Sequence, residues 1–309
     1  MKSTRTVQKI LSAYEGETPG VKANLNRMLM TGKLGGTGKM IILPVDQGFE
    51  HGPARSFGPN PPAYDPHYHY QLAIDAGLNA YAAPLGMLEC GADTFAGQIP
   101  TILKVNSANS LIPSDAPKDQ AITADVDDAL RLGCAAIGFT IYPGSSAGLD
   151  MFEEIAEMRM EAAAKGVATV IWSYPRGESL SKDGETAADV SAYATQIAAL
   201  LGAHVIKVKL SSDHLEQKEA AKAYADNGID VSTQTARVAD CVKAAFNGRR
   251  IIVFSGGAKS ASDSVYDNAR AIRDGGGNGS IIGRNTFQRP REEAMEMLGK
   301  LVDIYRGKA

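Results

Sequence analysis

The sequence has no apolar run long enough to cross a bilayer: the longest, such as residues 40–45, reach about six residues against the roughly 18 required. Its opening stretch, MKSTRTVQKILSAYEGE, carries no apolar core of the kind that marks an export signal. There is no basic block either. Lys and Arg total 32 against 35 Asp and Glu, a net charge of -3, which argues against binding to nucleic acid through clustered cations. Cysteine is scarce. Cys90, Cys134 and Cys241 form no CxxC or CxH pair, and three cannot all pair within one chain. That fits a reduced, cytoplasmic protein without structural zinc. Linkers, repeats and low-complexity tracts are also missing. What is present is 44 % apolar residues spread over 309 positions, enough to build a sizeable core.

Short apolar or β-branched runs recur, each followed by a helical pattern. Strands are expected at 40–46, 80–85, 101–105, 135–142, 168–174, 204–210, 251–255 and 280–284. Helices are expected at 149–165, ending at Gly166, at 186–201, ending at Gly202, and from Pro290 onward with Ala294, Leu298, Leu301 and Tyr305 on one face. Val238, Cys241, Val242, Ala245 and Phe246 follow the spacing of another helix face, so Cys241 reads as a buried apolar residue. Alternating strand and helix implies a parallel sheet, and eight units are the number that closes a (β/α)₈ TIM barrel. An open doubly wound sheet would show a GxGxxG turn after its first strand, where this chain has DQGFEHGP. The expected organisation is an α/β barrel over 40–309, with 1–39 as a short helical extension packed on it.

In such a barrel the functional groups sit at the C-terminal ends of the strands. On the sixth strand, AHVIKVKLSS, Ile206, Val208 and Leu210 share the helix-facing parity, so Lys207 and Lys209 point inward. Buried lysines are costly unless paired. One reading is a structural network with carboxylates. The other is an amine nucleophile, deprotonated by burial and by a nearby second cation. Lys209 is a candidate for that second charge, a carboxylate partnering one of the two is the alternative, and Lys104 on the third strand is a weaker candidate for the same part. On the fifth strand Trp172, Tyr174 and Arg176 share the inward parity, with Tyr174 a usable proton donor and Arg176 an anion clamp.

Asp46 ends the first strand and His51 follows in the loop over the mouth. The strands near 251 and 280 end in FSGGAK and IIGRN, so Ser255, Gly256, Gly257, Gly283 and Arg284 are candidates for a phosphate site. His67 and His69 in DPHYHY could ligate a metal only with His51 as a third partner, and they read as structural. The GGTGK stretch at 35–39 is followed by Met40 and a strand, which excludes a nucleotide-binding loop.

DQGFEHGP, AYAAPLG, WSYPRG, VIKVK, SGGAK and GRN, in that order, resemble the class I fructose-bisphosphate aldolases of the archaeal and bacterial type. The resemblance spans roughly residues 20–290, and NPPAYDPHYHYQLAIDAG is particularly similar to the bacterial members. It implies that Lys207 forms the Schiff base, Tyr174 is the general acid/base and Asp46 stands near the substrate hydroxyls. Trp172 and Arg176 would line the site, with His51 nearby. Ser255, Gly256, Gly257, Gly283 and Arg284 would surround the ketose-side phosphate. Gln47 departs from the pattern, since many relatives carry His there. The resemblance further implies sugar-phosphate substrates, a homo-oligomer, no cofactor and no metal requirement.

Overall fold

Eight short segments have apolar residues at successive positions, the pattern of strands covered on both faces. In the computed structural model, which describes residues 2–113, 115–255 and 262–309, they are β1 (Met40–Pro44), β2 (Ala80–Pro84), β3 (Thr101–Lys104), β4 (Ala136–Ile141), β5 (Ala168–Ser173), β6 (Val205–Lys209), β7 (Ile251–Ser255) and β8 (Gly279–Ile281). Each pairs in parallel with its neighbours in chain order, and β8 returns to β1, so the sheet closes. The barrel expected from the alternation of elements is the fold.

Side-chain alternation divides the core in two. Ile42, Ala82, Ile102, Ala136, Val170, Val205, Val253 and Ile281 fill the interior. Ile41, Leu43, Leu103, Ile137, Ile171, Ile206, Val208, Ile252 and Phe254 face the surrounding helices. The helices fall close to their expected places, at Gly148–Ala164, Ala188–Leu200 and Arg291–Tyr305. Pro290 is the N-cap of the last of these rather than part of its first turn. Cys241 is buried with Val238 on helix Gln234–Ala244. Most strands stop one to three residues short of their expected ends. Arg284 leaves β8 altogether and starts the short helix Arg284–Phe287. The chain must bend there because Gly283 passes against β1: a Cβ on it would stand 2.6 Å from the Pro44 carbonyl oxygen. A small antiparallel ribbon, Asn106–Ser107 with Ala121–Ile122, follows β3 and was not legible in the sequence.

Ahead of β1, helices Arg5–Ser12 and Pro19–Met30 are each capped by a threonine, Thr4 accepting from Val7 N–H and Thr18 from Val21 N–H. Their apolar residues Val7, Val21, Leu25, Met28 and Leu29 join the interior cluster and close the end of the barrel where the strands begin. Gly20 and Gly166 let the two backbones meet, since a Cβ on Gly20 would lie 2.8 Å from Gly166 Cα. The Tyr14 hydroxyl donates to the His204 carbonyl at 2.6 Å and accepts from Ile251 N–H at 3.0 Å, tying the starts of β6 and β7 together. His204 Nδ1 accepts from Thr169 N–H at 2.8 Å, and its Nε2 faces Glu17 at 3.2 Å.

Candidate active site

The alternation that sends Ile206 and Val208 outward sends Lys207 inward, where it is 4 % exposed. Its register neighbour on β5 is Trp172, the only tryptophan of the chain. Lys207 Nζ lies 5.7 Å from the centre of that indole and 4.8 Å from the centre of the Tyr174 ring. The indole fits because β4 carries Gly138 beside it: a Cβ there would stand 2.1 Å from Trp172 Cζ3.

Above Lys207 opens a cavity of ≈ 80 Å³ walled by groups from five strand ends. Asp46 occupies the N-cap position of the short helix Gln47–His51 without a side-chain cap hydrogen bond, and that helix carries Gln47, Glu50 and His51 across the mouth. Tyr174 and Arg176 enter from the end of β5, Lys209 from β6, Ser255 from β7, and Gly283 with Arg284 from beyond β8. The Arg176 guanidinium lies over the rings of Tyr142 and Tyr174, at 5.4 and 5.7 Å. Glu50, His51 and Arg176 also border a second cavity of ≈ 290 Å³, which extends to Tyr142 and Lys118.

Burial sets the protonation states. It pushes Lys207 down to about 8; Asp46 and Glu50 oppose that shift, while Lys104 and Lys209 reinforce it. Burial, then the carboxylates Asp46 and Glu50, raises Tyr174 well above the ordinary tyrosine value, so its resting form is a neutral phenol. Glu50 is held above the usual carboxylate range by burial and by the adjacent Asp46. His51, 3.6 Å from Glu50, is pushed down by burial and then by Arg284, Arg55 and Arg176, which keeps its imidazole neutral at pH 7. Burial and Arg176 push Lys209 down. A neutralisable amine, a phenol and a carboxylate at one cavity, with Arg176 and Arg284 above, can form an imine with a carbonyl compound and hold its anionic groups.

The expected residues Asp46, His51, Tyr174, Arg176, Lys207, Lys209, Ser255, Gly283 and Arg284 meet at this one cavity. Trp172 does not line it; its ring is buried one layer deeper, beneath Lys207. Gly256 and Gly257 lie outside the described residues. Gln47, noted in the sequence only as a departure from the family pattern, also lines the cavity, and Glu50 and Tyr142 were not read from the sequence. The available signal for Glu50 was its position four residues after Asp46, which places both on one face of a single helical turn. His67 and His69 turn away from the mouth to backbone carbonyls, those of Cys90 at 2.7 Å and Ala63 at 2.8 Å. Among the described residues no group of three His, Cys, Asp or Glu is placed to hold a metal ion.

Fold and site together define a parallel-barrel enzyme of the amine-nucleophile class. The chain belongs to the DeoC/LacD family of aldolases, whose model matches residues 40–289. It is 33 % identical to a probable class 1 fructose-bisphosphate aldolase of Chlamydia muridarum over 92 % of this chain and 84 % of the relative. It is 34 % identical to the class 1 fructose-bisphosphate aldolase of Thermoproteus tenax over 88 % of this chain and 91 % of that one. Among solved structures, an archaeal fructose 1,6-bisphosphate aldolase superposes with a TM-score of 0.74 at 33 % identity, covering 87 % of this chain and 94 % of the other. A Schiff-base-forming fructose-1,6-bisphosphate aldolase, solved to follow its reaction intermediates, gives 0.76 at 30 % identity, covering 91 % and 99 %.

Proposed function

We propose that this protein is a class I, Schiff-base fructose-1,6-bisphosphate aldolase. It cleaves the ketose bisphosphate reversibly to dihydroxyacetone phosphate and glyceraldehyde 3-phosphate, a step of glycolysis and gluconeogenesis. The observation that carries this reading is a buried lysine with a depressed pKa, in contact with Tyr174 at the base of a cation-rimmed mouth.

The geometry suits the following sequence. The neutral amine of Lys207 adds to the C2 carbonyl. Tyr174, resting as a phenol, donates its proton to the carbinolamine hydroxyl, water leaves, and a protonated imine remains. The phenolate produced in that step faces the new cation, which stabilises it. It then takes the proton of the C4 hydroxyl, the C3–C4 bond breaks, and the electron pair flows into the iminium. The aldehyde departs, Tyr174 protonates C3 of the enamine, and water releases the ketone from Lys207. Asp46 stands where it can accept from substrate hydroxyls. Ser255, Gly283 and Arg284, with Gly256 and Gly257, would hold the ketose-side phosphate. Arg176 and Lys118 border the second cavity, which suits the phosphate at the aldehyde end. Holding both ends contributes several kcal/mol through orientation.

The far end of the substrate lies in that second cavity, so the competing reading is the same chemistry on another phosphorylated keto sugar. The family resemblance also supports a homo-oligomer working in the cytoplasm, and exposed Leu149 and Tyr193 around an apolar cavity of ≈ 270 Å³ offer an outer face for association. The deciding experiment is borohydride trapping with dihydroxyacetone phosphate followed by peptide mapping, alongside cleavage assays on a panel of ketose phosphates. An adduct on the peptide containing Lys207 and a preference for the bisphosphate are expected. No adduct would end the Schiff-base reading, and preference for another ketose phosphate would favour the competing one.

A further inference from the structure

Arg176 faces the mouth without an ion pair. Among the described residues no carboxylate pairs with its guanidinium, which rests on the rings of Tyr142 and Tyr174. Its place is therefore set by its backbone, in the loop that joins β5 to helix Ala188–Leu200. Lys209, at the end of β6, faces the same cavity, and after burial Arg176 is the strongest influence pushing it down. Two like charges on neighbouring strand ends repel, so the loops that follow β5 and β6 are pressed apart until an anion lies between them.

One carboxylate stitches these two loops together. Glu216, in the loop after β6, accepts at Oε1 from Ser181 N–H at 2.9 Å. At Oε2 it accepts from the Ser181 hydroxyl and from His214 Nε2, both at 2.8 Å. Ser181 Oγ in turn accepts from Gly184 N–H at 2.9 Å. Gly184 leaves room for the stitch, since a Cβ there would stand 2.5 Å from Glu216 Cδ. The Ser181 N–H and then His214 hold the Glu216 carboxyl below the usual carboxylate range, so the acceptor is ionised at neutral pH. Its backbone is fixed as well: Asp189, 4 % exposed, accepts from the N–H groups of Glu216 at 3.0 Å and Gln217 at 2.9 Å.

On its other side the loop after β5 is tied to the loop after β4. Arg176 N–H donates to the Pro143 carbonyl at 3.1 Å and the Ser179 hydroxyl to the Gly144 carbonyl at 2.9 Å. Those bonds fix the loop toward β4 alone. Its spacing from β6, where Lys207 and Lys209 stand, is set by the Glu216 seam. Glu216 lines neither cavity, so it restrains the two cations without cancelling the charge that an anionic substrate needs.

We propose that Glu216 is a positioning residue for the reaction: its carboxylate holds the loop after β5 against the loop after β6, and so keeps Arg176 where it receives the phosphate at the aldehyde end of the substrate. The proposal rests on the reading of Arg176 as the contact for that phosphate and adds what keeps it in place before the substrate arrives.

The test is steady-state cleavage of fructose 1,6-bisphosphate by Glu216→Ala, Arg176→Ala and the double variant, with borohydride trapping of dihydroxyacetone phosphate alongside. Glu216→Ala should raise KM about five-fold, keep kcat within about two-fold and leave trapping unchanged. The double variant should be no worse than Arg176→Ala alone, because Glu216 acts through Arg176. Glu216→Gln, which keeps an acceptor oxygen for Ser181 N–H, should retain more affinity than Ala. Ser181→Ala opens the same seam from the other loop and should raise KM in the same way; it carries the test if Glu216→Ala fails to fold. An unchanged KM, losses that multiply in the double variant, or an equal loss of cleavage and trapping overturns the proposal while leaving Arg176 in its role. An Arg176→Ala variant with unaltered KM overturns both.

Discussion

The two ends of the barrel treat polar groups in opposite ways. At the closed end, Tyr14, Glu17 and His204 are buried or half-buried, and each faces a specific partner: Tyr14 bridges two backbone groups, and Glu17 and His204 face each other. At the open end, Lys207 is buried with no hydrogen-bond acceptor among the described residues, Glu50 is crowded by Asp46, and His51 sits among arginines. The first arrangement lowers the free energy of the folded chain. The second raises it, and Lys207, held at about 8, is the group there that can exchange a proton near neutral pH.

The sharpest way to break this contrast is Lys207→Met. Cleavage should fall by at least about a thousand-fold and borohydride trapping should vanish, because the covalent route is gone. The same variant should unfold at a higher temperature at pH 7. A lysine held at about 8 in the folded protein, against 10.5 when exposed, costs on the order of 3 kcal/mol while it must stay charged. That cost is full below pH 8 and is relieved as pH rises toward 10.5, since the unfolded chain binds more protons across that window. Thermal melts of both proteins should therefore converge between pH 8 and 10.5. Parallel melting curves throughout would show that the amine is stabilised by something other than its surroundings here.

Next in size is Tyr174→Phe. Cleavage should drop by about 10²–10³, and imine trapping by less, since Glu50 or water can still protonate the carbinolamine. Equal losses in both assays would remove Tyr174 from the carbon–carbon step. Smaller again is Arg176→Ala, for which KM of the bisphosphate should rise about ten-fold while trapping by dihydroxyacetone phosphate, which lacks the distal phosphate, changes little. A uniform loss on both compounds would place Arg176 at the ketose side instead.

The smallest effect belongs to the closed end. Tyr14→Phe removes the hydroxyl that joins the starts of β6 and β7 and should lower stability by about 1–2 kcal/mol in urea titration. Its kcat/KM at the pH optimum should match that of the unaltered protein. A large loss of turnover would mean that the two ends are not separable.

Much of the mouth was legible because strand parity is a strict constraint. Once Ile206 and Val208 face the helices, Lys207 has only the interior left, and the same rule, carried past the end of β5, reads Tyr174 and Arg176. Parity does not report depth. Trp172 shares the parity of Tyr174 yet sits two residues earlier and so deeper in the barrel, where its ring fits because Gly138 has no side chain. Nor does parity report what a loop will bring back. Lys104 looked like one more strand lysine until Asn106 and Gln120, fourteen residues apart in the chain, closed around it through a ribbon that no periodicity announced. Glu50 was hidden by a helix too short to show a pattern.

The slot opened by Gly138 also gives the molecule an optical reporter. The one indole in the chain sits 5.7 Å from the reactive nitrogen and 6.0 Å from its caged neighbour, sealed from water. Emission excited at the tryptophan band therefore comes from a single known place. Every change of charge on Lys207, from free amine to iminium and back, takes place against that ring, and stopped-flow fluorescence can follow turnover without any label.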